Sequence, residues 1–203
     1  KTPIGLKAQI HIFKQDSTFQ NTKTAIELGY FFNYNTRTYI GYQSTESSDI
    51  LNQNNTSISD YNNKFLTTNF EFVNFNPETS GDDLLFPEKT KVNFKVGFGS
   101  RNSNFNTNKQ FFTSIDLKHD FYLNEKNSIS IKSQNYFLNS NEYIINELFR
   151  FGGINSIRGF NENSLQANLL SSILTEYRYI LTPGIYTHTI IDYGYYNDKT
   201  SNS

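Results

Sequence analysis

Residues 149–165 read FRFGGINSIRGFNENSL, and within them residues 152–160 carry a single charge, that of Arg158. Glycine adopts backbone angles that other residues avoid, so this stretch predicts a loop that folds back tightly on itself. A guanidinium group keeps its charge and presents several fixed donors, so a buried Arg158 must meet a carboxylate. The candidate loop motif consists of Gly152, Gly153, Ser156, Ile157, Arg158, Gly159 and Phe160.

Two candidate carboxylates follow on strand-like segments. Glu176 lies in LLSSILTEYRYIL, which starts at residue 169, and Asp192 lies in YTHTIIDYGYY, which starts at residue 186. A loop arginine that reaches acids on strands needs a hollow in which it can be buried. The sequence therefore predicts a curved wall of strands with a wet inner side.

Apolar and polar residues alternate with a period of two in about nine segments, as they do in strands with two different faces. Each segment is about 10 residues long, which matches a tilted membrane-spanning strand. Lys and Glu lie in mid-strand on the polar faces, where a closed apolar core would not accept them unpaired. The pattern predicts an all-β fold, an antiparallel up-and-down transmembrane β-barrel. The clearest segment alternates Val92, Phe94, Val96 and Phe98 with Asn93, Lys95, Gly97 and Gly99.

The composition agrees with a wall that has one apolar face. Apolar residues make up only 36% of the chain, whereas aromatic residues reach 16%, with 19 Phe and 14 Tyr. Disordered chains are poor in aromatic residues, so disorder is excluded. The net charge of −1 gives no basic field for a nucleic acid, and the absence of Cys excludes disulfides and thiolate sites. Because Met is also absent, we expect a piece of a longer protein.

Connection lengths supply a second test, because outer-membrane barrels have short turns at one end and long loops at the other. Tight turns are expected at Tyr34-Asn35, Asn124–Lys126 and Thr182-Pro183-Gly184. Longer loops are expected at Gln15–Thr22, Glu46–Asn63, Arg101–Lys109 and residues 140–165. The Asn76–Glu88 connection falls on the short-turn side but is long, which indicates either an excursion on the inner side or a strand that ends elsewhere than the alternation suggests.

At these residues the chain resembles a known superfamily. GGINSIRGF is similar to the loop motif of the BamA/TamA-type outer-membrane assembly and two-partner-secretion transporter barrels. SSILTEYRY and HTIIDYGYY resemble the two strand motifs that follow it in that superfamily. The resemblance by motif covers about Phe149 to Tyr196, and the order and spacing of the three motifs strengthen it.

The resemblance implies a barrel of sixteen strands, of which this chain would hold about nine, with residues 1–203 as a partial barrel domain. It implies that loop 140–165 folds into the lumen, where Arg158 meets Glu176 and Asp192, with Gly194 in the second strand motif. It further implies the outer membrane of a Gram-negative bacterium, contact with lipid, and periplasmic POTRA domains in the parent chain. The implied function is to assemble or export nascent outer-membrane or secreted polypeptides, without a cofactor.

Plainer interpretations remain open. Arg158 could be an exposed turn arginine, and Glu176 and Asp192 could be ordinary lumen acids. Acid–base catalysis by these two acids is disfavoured because no nucleophile or substrate motif accompanies them, so no enzyme activity is expected. His11, His119 and His188 lie on separate segments without metal-ligand spacing, so no metal site is expected. A passive outer-membrane pore is the main alternative function, and a soluble β-rich binding module is a further one.

Overall fold

The computed structural model describes residues 3–15, 18–50, 58–75, 85–104, 106–182 and 184–200. Nine long strands form one antiparallel up-and-down sheet in the order β1-β2-β3-β4-β5-β6-β7-β10-β11, so the predicted fold class and the nine strands are confirmed. The strands are β1 (Ile4–Gln15), β2 (Phe19–Phe31), β3 (Thr36–Asp49), β4 (Tyr61–Phe75), β5 (Glu88–Ser103), β6 (Thr107–Tyr122), β7 (Asn127–Asn139), β8 (Phe149–Phe151), β9 (Leu165–Ala167), β10 (Leu169–Thr182) and β11 (Ile185–Asn197). In the described residues no helix is long and apolar enough to cross a membrane.

The two faces of the sheet differ as the alternation predicts. Within β2, Ile26 and Leu28 are 60% and 58% exposed, whereas Glu27 between them is 2% exposed. Side chains of successive residues point to opposite faces of a strand, so one face is apolar and open and the other is polar and covered. The same division recurs along the sheet, with Ile40, Leu66, Phe98 and Ile191 exposed and Gln43, Asn69, Gln110, Asp120 and Arg178 buried.

The sheet curls toward its polar face. Lys7 on β1 lies 3.3 Å from Glu71 on β4, and Lys95 on β5 lies 2.8 Å from Glu27 on β2. In each pair the strands are three places apart, about 14 Å along a flat sheet at the usual strand spacing. Such short contacts require the polar face to be concave, so we call it the concave face.

The connections lie at two ends. We call the end with turns 32–35 and 123–126 the turn end, and the end with residues 140–168 the loop end. The expected long loops at Gln15–Thr22 and Arg101–Lys109 are wrong, because the strands run through them and leave only residues 16–18 and 104–106 as connections. Polar residues on both faces hid these strand extensions. Residues 51–57 of the expected Glu46–Asn63 loop and residues 76–84 of the Asn76–Glu88 connection lie outside the described residues.

The connection from β7 to β10 packs on the concave face. It contains a 3₁₀ turn (Ile145–Glu147) and the hairpin of β8 and β9. Phe151 and Ala167 of this hairpin form a buried cluster with Leu170 of β10. The connection is therefore held to the wall by an apolar contact as well as by polar ones.

Candidate functional site

The tip of the β8–β9 hairpin holds the loop motif in a tight fold. Gly152 and Gly153 have φ angles of 105° and 91°, in the left-handed region that favours glycine. A Cβ atom on Gly152 would lie 2.7 Å from the backbone oxygen of Asn161, and one on Gly153 would collide with the Glu162 carboxylate. Larger residues at these positions would open the turn, which explains the paired glycines.

Arg158 and Asp192 of β11 form a two-pronged ion pair, which we call the arginine latch. The Arg158 Nε atom donates to Asp192 Oδ2 at 2.8 Å, and its Nη2 atom donates to Oδ1 at 2.5 Å. The backbone N–H of Arg158 donates to the same carboxylate at 2.9 Å, and Nη2 also reaches the carbonyl oxygen of Thr175 at 3.3 Å. The side chains are 16% and 7% exposed, so the pair is largely withdrawn from solvent.

Glu176 does not pair with Arg158, contrary to the expectation from the motif. Its carboxylate accepts from Arg178 Nη2 at 2.8 Å and lies 2.5 Å from His188 Nδ1. Arg178 lies two residues away on the same face of β10, and His188 lies opposite Arg178 in the β10–β11 register, so both are closer partners. Glu176 still acts on Arg158 through its charge. The hydrogen bonds that Arg158 donates to Asp192 raise the pKa of Arg158 most, and the negative charges of Asp192 and Glu176 raise it further.

The remaining motif residues surround the latch. A Cβ atom on Gly194 would lie 2.4 Å from Ile157 Cδ1, so Ile157 packs directly over the bare backbone of Gly194. Ser156 is buried, and its backbone N–H donates to the Gly153 carbonyl oxygen. Gly159 has a φ of 97° with open space around it, and Phe160 is exposed. The structure therefore brings Ile157, Arg158, Asp192 and Gly194 together and leaves Phe160 outside the contact.

A second attachment, which the sequence did not reveal, lies before the motif. The Glu147 carboxylate accepts from Arg101 Nη1 at 2.5 Å and from Gln110 Nε2 at 2.8 Å. Both ionic side chains are only 1% exposed. Burial raises the pKa of Glu147, and the charge of Arg101 only partly opposes this.

Asn146 extends this second attachment across the sheet. Its Nδ2 atom donates to Ser47 Oγ at 2.7 Å and to the Ser59 carbonyl oxygen at 2.8 Å. Its own carbonyl oxygen accepts from Asn21 Nδ2 at 2.6 Å and from Tyr61 Oη at 3.2 Å. We call Asn146, Glu147 and the strand groups that bind them the front anchor. It connects the loop to strands from β2 to β6, and β2 lies five places from β7 in the sheet.

One residue of the front anchor, Arg101, could have been placed from the sequence. Arg101 keeps the parity of Asn93, Lys95 and Gly97, so extending the β5 alternation would have placed it on the concave face. Asn146 and Glu147 belong to no periodic segment and could not be located in this way. As to metal ions, no group of three or more ligand-type side chains comes together in the described part of the chain.

Of the comparisons with known proteins, only that with solved structures bears on the fold. No family model matches the chain, and a comparison with curated protein sequences finds no match. Among solved structures the chain is similar to CdiB from Acinetobacter baumannii, with a TM-score of 0.58 and 13% sequence identity. The match covers 89% of this chain and 33% of that one, so this chain spans about a third of the length of CdiB.

Proposed function

We propose that this chain is part of an outer-membrane translocase barrel that exports or assembles polypeptides. Three observations support the proposal: the loop motif with its downstream acid, the apolar outer and polar inner faces, and the fold likeness to CdiB, a two-partner-secretion transporter. That likeness supports membership of the superfamily and a transport role in the outer membrane in general terms. The proposal covers two roles, the export of polypeptides and their assembly. Assembly, by insertion of nascent outer-membrane proteins, is the more specific of the two.

The observation that carries the proposal is the arginine latch on the concave face. The loop lies against the polar wall and is held there by the latch, by the front anchor and by the apolar cluster of Phe151, Ala167 and Leu170, an attachment that a passive solute pore does not require. The latch uses a charged, two-pronged hydrogen bond, which has defined geometry and about twice the strength of a neutral one. Its role is structural: it braces the wall while strands elsewhere in the barrel separate to pass a client.

The partners follow from the two faces. Exposed Ile, Leu and Phe side chains of the outer face contact outer-membrane lipid, and the concave face receives a nascent or secreted polypeptide. Periplasmic POTRA domains in the parent chain would deliver that client. No nucleic acid, cofactor or catalytic step is part of this mechanism, since the groups at the site hold one another by hydrogen bonds and ion pairs.

The test uses the full-length parent protein in outer membranes. Arg158→Ala and Asp192→Asn should reduce export or assembly of client polypeptides at least several-fold, while the amount of inserted barrel stays near normal. Lys91→Ala is the matched control, because Lys91 pairs with Glu88 at the turn end, away from the loop. Normal client handling by both latch variants would overturn the proposal. A steadily open, size-selective conductance of the unaltered parent would favour the passive pore instead.

A further inference from the structure

The turn end of the sheet has its own contact between distant strands. Phe86 immediately precedes β5, yet its ring lies 4.0 Å from the guanidinium carbon of Arg178 on β10. The same ring meets the Tyr186 ring of β11 edge-on, with 4.8 Å between the ring centroids. β10 is three places from β5 in the sheet, about 14 Å along the wall at the usual spacing. Phe86 therefore reaches across the concave side to the opposite part of the wall.

Phe86 packs on the flat face of the Arg178 guanidinium group, because the edge of that group is occupied by hydrogen bonds. The edge of the guanidinium donates to Asp120 Oδ2 at 3.0 Å and to Glu176 Oε2 at 2.8 Å. The face of the same group is left for an aromatic ring, and cation–π stacking is strongest where water is excluded. Arg178 is 7% exposed, so this condition is met.

Two further bonds hold the chain around Phe86. Tyr122 Oη donates to the Phe86 carbonyl oxygen at 3.3 Å, and Lys118 Nζ donates to the Glu88 carbonyl oxygen at 3.3 Å. Both donors lie on β6, between β5 and the strands that Phe86 contacts. The segment that leads into β5 is thus tied to β6, β10 and β11 at once.

We propose that Phe86, stacked on Arg178 and edge-on to Tyr186, forms a constriction of the passage on the turn-end side of the arginine latch. The constriction and the latch meet neighbouring parts of the wall, because Glu176 binds Arg178 and also lies within the electrostatic reach of Arg158. The constriction restricts ions and small solutes when no client is present. It does not depend on which client the barrel handles.

The first test measures ion conductance of the full-length parent in planar lipid bilayers. Phe86→Ala should raise the resting conductance several-fold, whereas Phe86→Leu, which keeps most of the bulk, should raise it less. Phe32→Ala is the matched control, because Phe32 is an exposed aromatic residue at the turn end that stacks on Tyr30 of the outer face. Equal conductance of the Phe86→Ala and Phe32→Ala variants would overturn the proposal.

The second test keeps the proposal falsifiable if Phe86→Ala fails to insert. The chain has no Cys, so the pair Phe86→Cys and Tyr186→Cys adds the only thiols in this region. A short reducible thiol cross-linker should join them in intact membranes, and reduction should restore the mobility of the unlinked protein. Failure to cross-link in a folded, inserted barrel would place Phe86 away from β11 and overturn the constriction. Neither readout requires export, so failure of the proposed function would leave both results interpretable.

Discussion

The arginine latch and the front anchor both attach the loop to the wall, but they differ in how deeply they are buried and in how readily the sequence predicts them. The front anchor buries an ion pair completely, with Arg101 and Glu147 each 1% exposed, and it carries no recognisable motif. The arginine latch is more exposed, with Arg158 at 16%, and it lies in the most distinctive stretch of the chain. A distinctive motif therefore does not identify the most deeply buried contact.

The difference has a physical reason. A buried ion pair costs much to desolvate, and its worth depends on every partner that surrounds it. Such partners come from separate parts of the chain, here Gln110 on β6 and the backbone N–H of Ile144 in the loop, so they leave no local pattern. The latch needs a tight turn and one partner strand. A tight turn is formed by neighbouring residues, so it can be seen in the sequence as the glycines on either side of Arg158.

The largest expected effect is that of breaking the front anchor. Arg101→Ala leaves the Glu147 carboxylate buried without its cation, and removing one partner of such a pair costs about 3–5 kcal/mol. We expect a marked drop in the temperature at which the full-length barrel in detergent loses its β-sheet circular dichroism signal. Lys109→Ala is the control, because Lys109 is exposed at the same end. Equal melting of the two variants would show that the buried pair contributes nothing net.

The fold could be predicted from the sequence because each strand shows the period-two alternation by itself. Ile26, Glu27 and Leu28 suffice to orient β2, and no distant residue is needed for that inference. The ends of strands were missed where Thr22 and Asn102 face outward, because polar residues on both faces look like loops. The resemblance predicts Glu176 as a partner of Arg158, but Arg178 lies two residues away on the same face of β10 and binds Glu176 instead.

Breaking the latch should have a smaller effect on stability than breaking the front anchor. Arg158→Ala removes hydrogen bonds to a charged partner, which are worth about 1.5–3 kcal/mol. Because the Arg158 side chain is itself partly exposed, its removal opens Asp192 to water, so the cost stays below that of breaking the front anchor. Arg158→Lys keeps the charge but loses the two-pronged geometry, so it should recover only part of the loss. Limited proteolysis of the loop at residues 152–164 measures this directly. Complete recovery by Arg158→Lys would mean that charge alone holds the loop.

The contact between Ile157 and Gly194 tests whether the latch also depends on close packing. Gly194→Ala adds a Cβ atom 2.4 Å from Ile157 Cδ1, and overpacking of this kind costs about 1 kcal/mol at the lower end of its range. Ile157→Val removes Cδ1, so the double variant should be more stable than the sum of the two single changes predicts. A double-mutant cycle on loop proteolysis rates gives the coupling. Simple additivity would show that Ile157 moves aside freely.

The smallest expected effect is a pH dependence that arises from Glu147 of the front anchor. Burial raises the pKa of Glu147 above its ordinary value of 4.5, so the folded barrel binds this proton more tightly than the unfolded chain does. Stability from this group is then fully present below the unfolded pKa and is lost as pH rises through the folded pKa. Glu147→Gln cannot titrate, so the melting temperature of the unaltered protein should fall relative to this variant as pH rises from 4.5. The Arg101→Ala defect should shrink in acid for the same reason, because a protonated Glu147 no longer needs its cation. Parallel pH profiles of the unaltered protein and Glu147→Gln would mean that the cation of Arg101 fully offsets the cost of burying the Glu147 carboxylate.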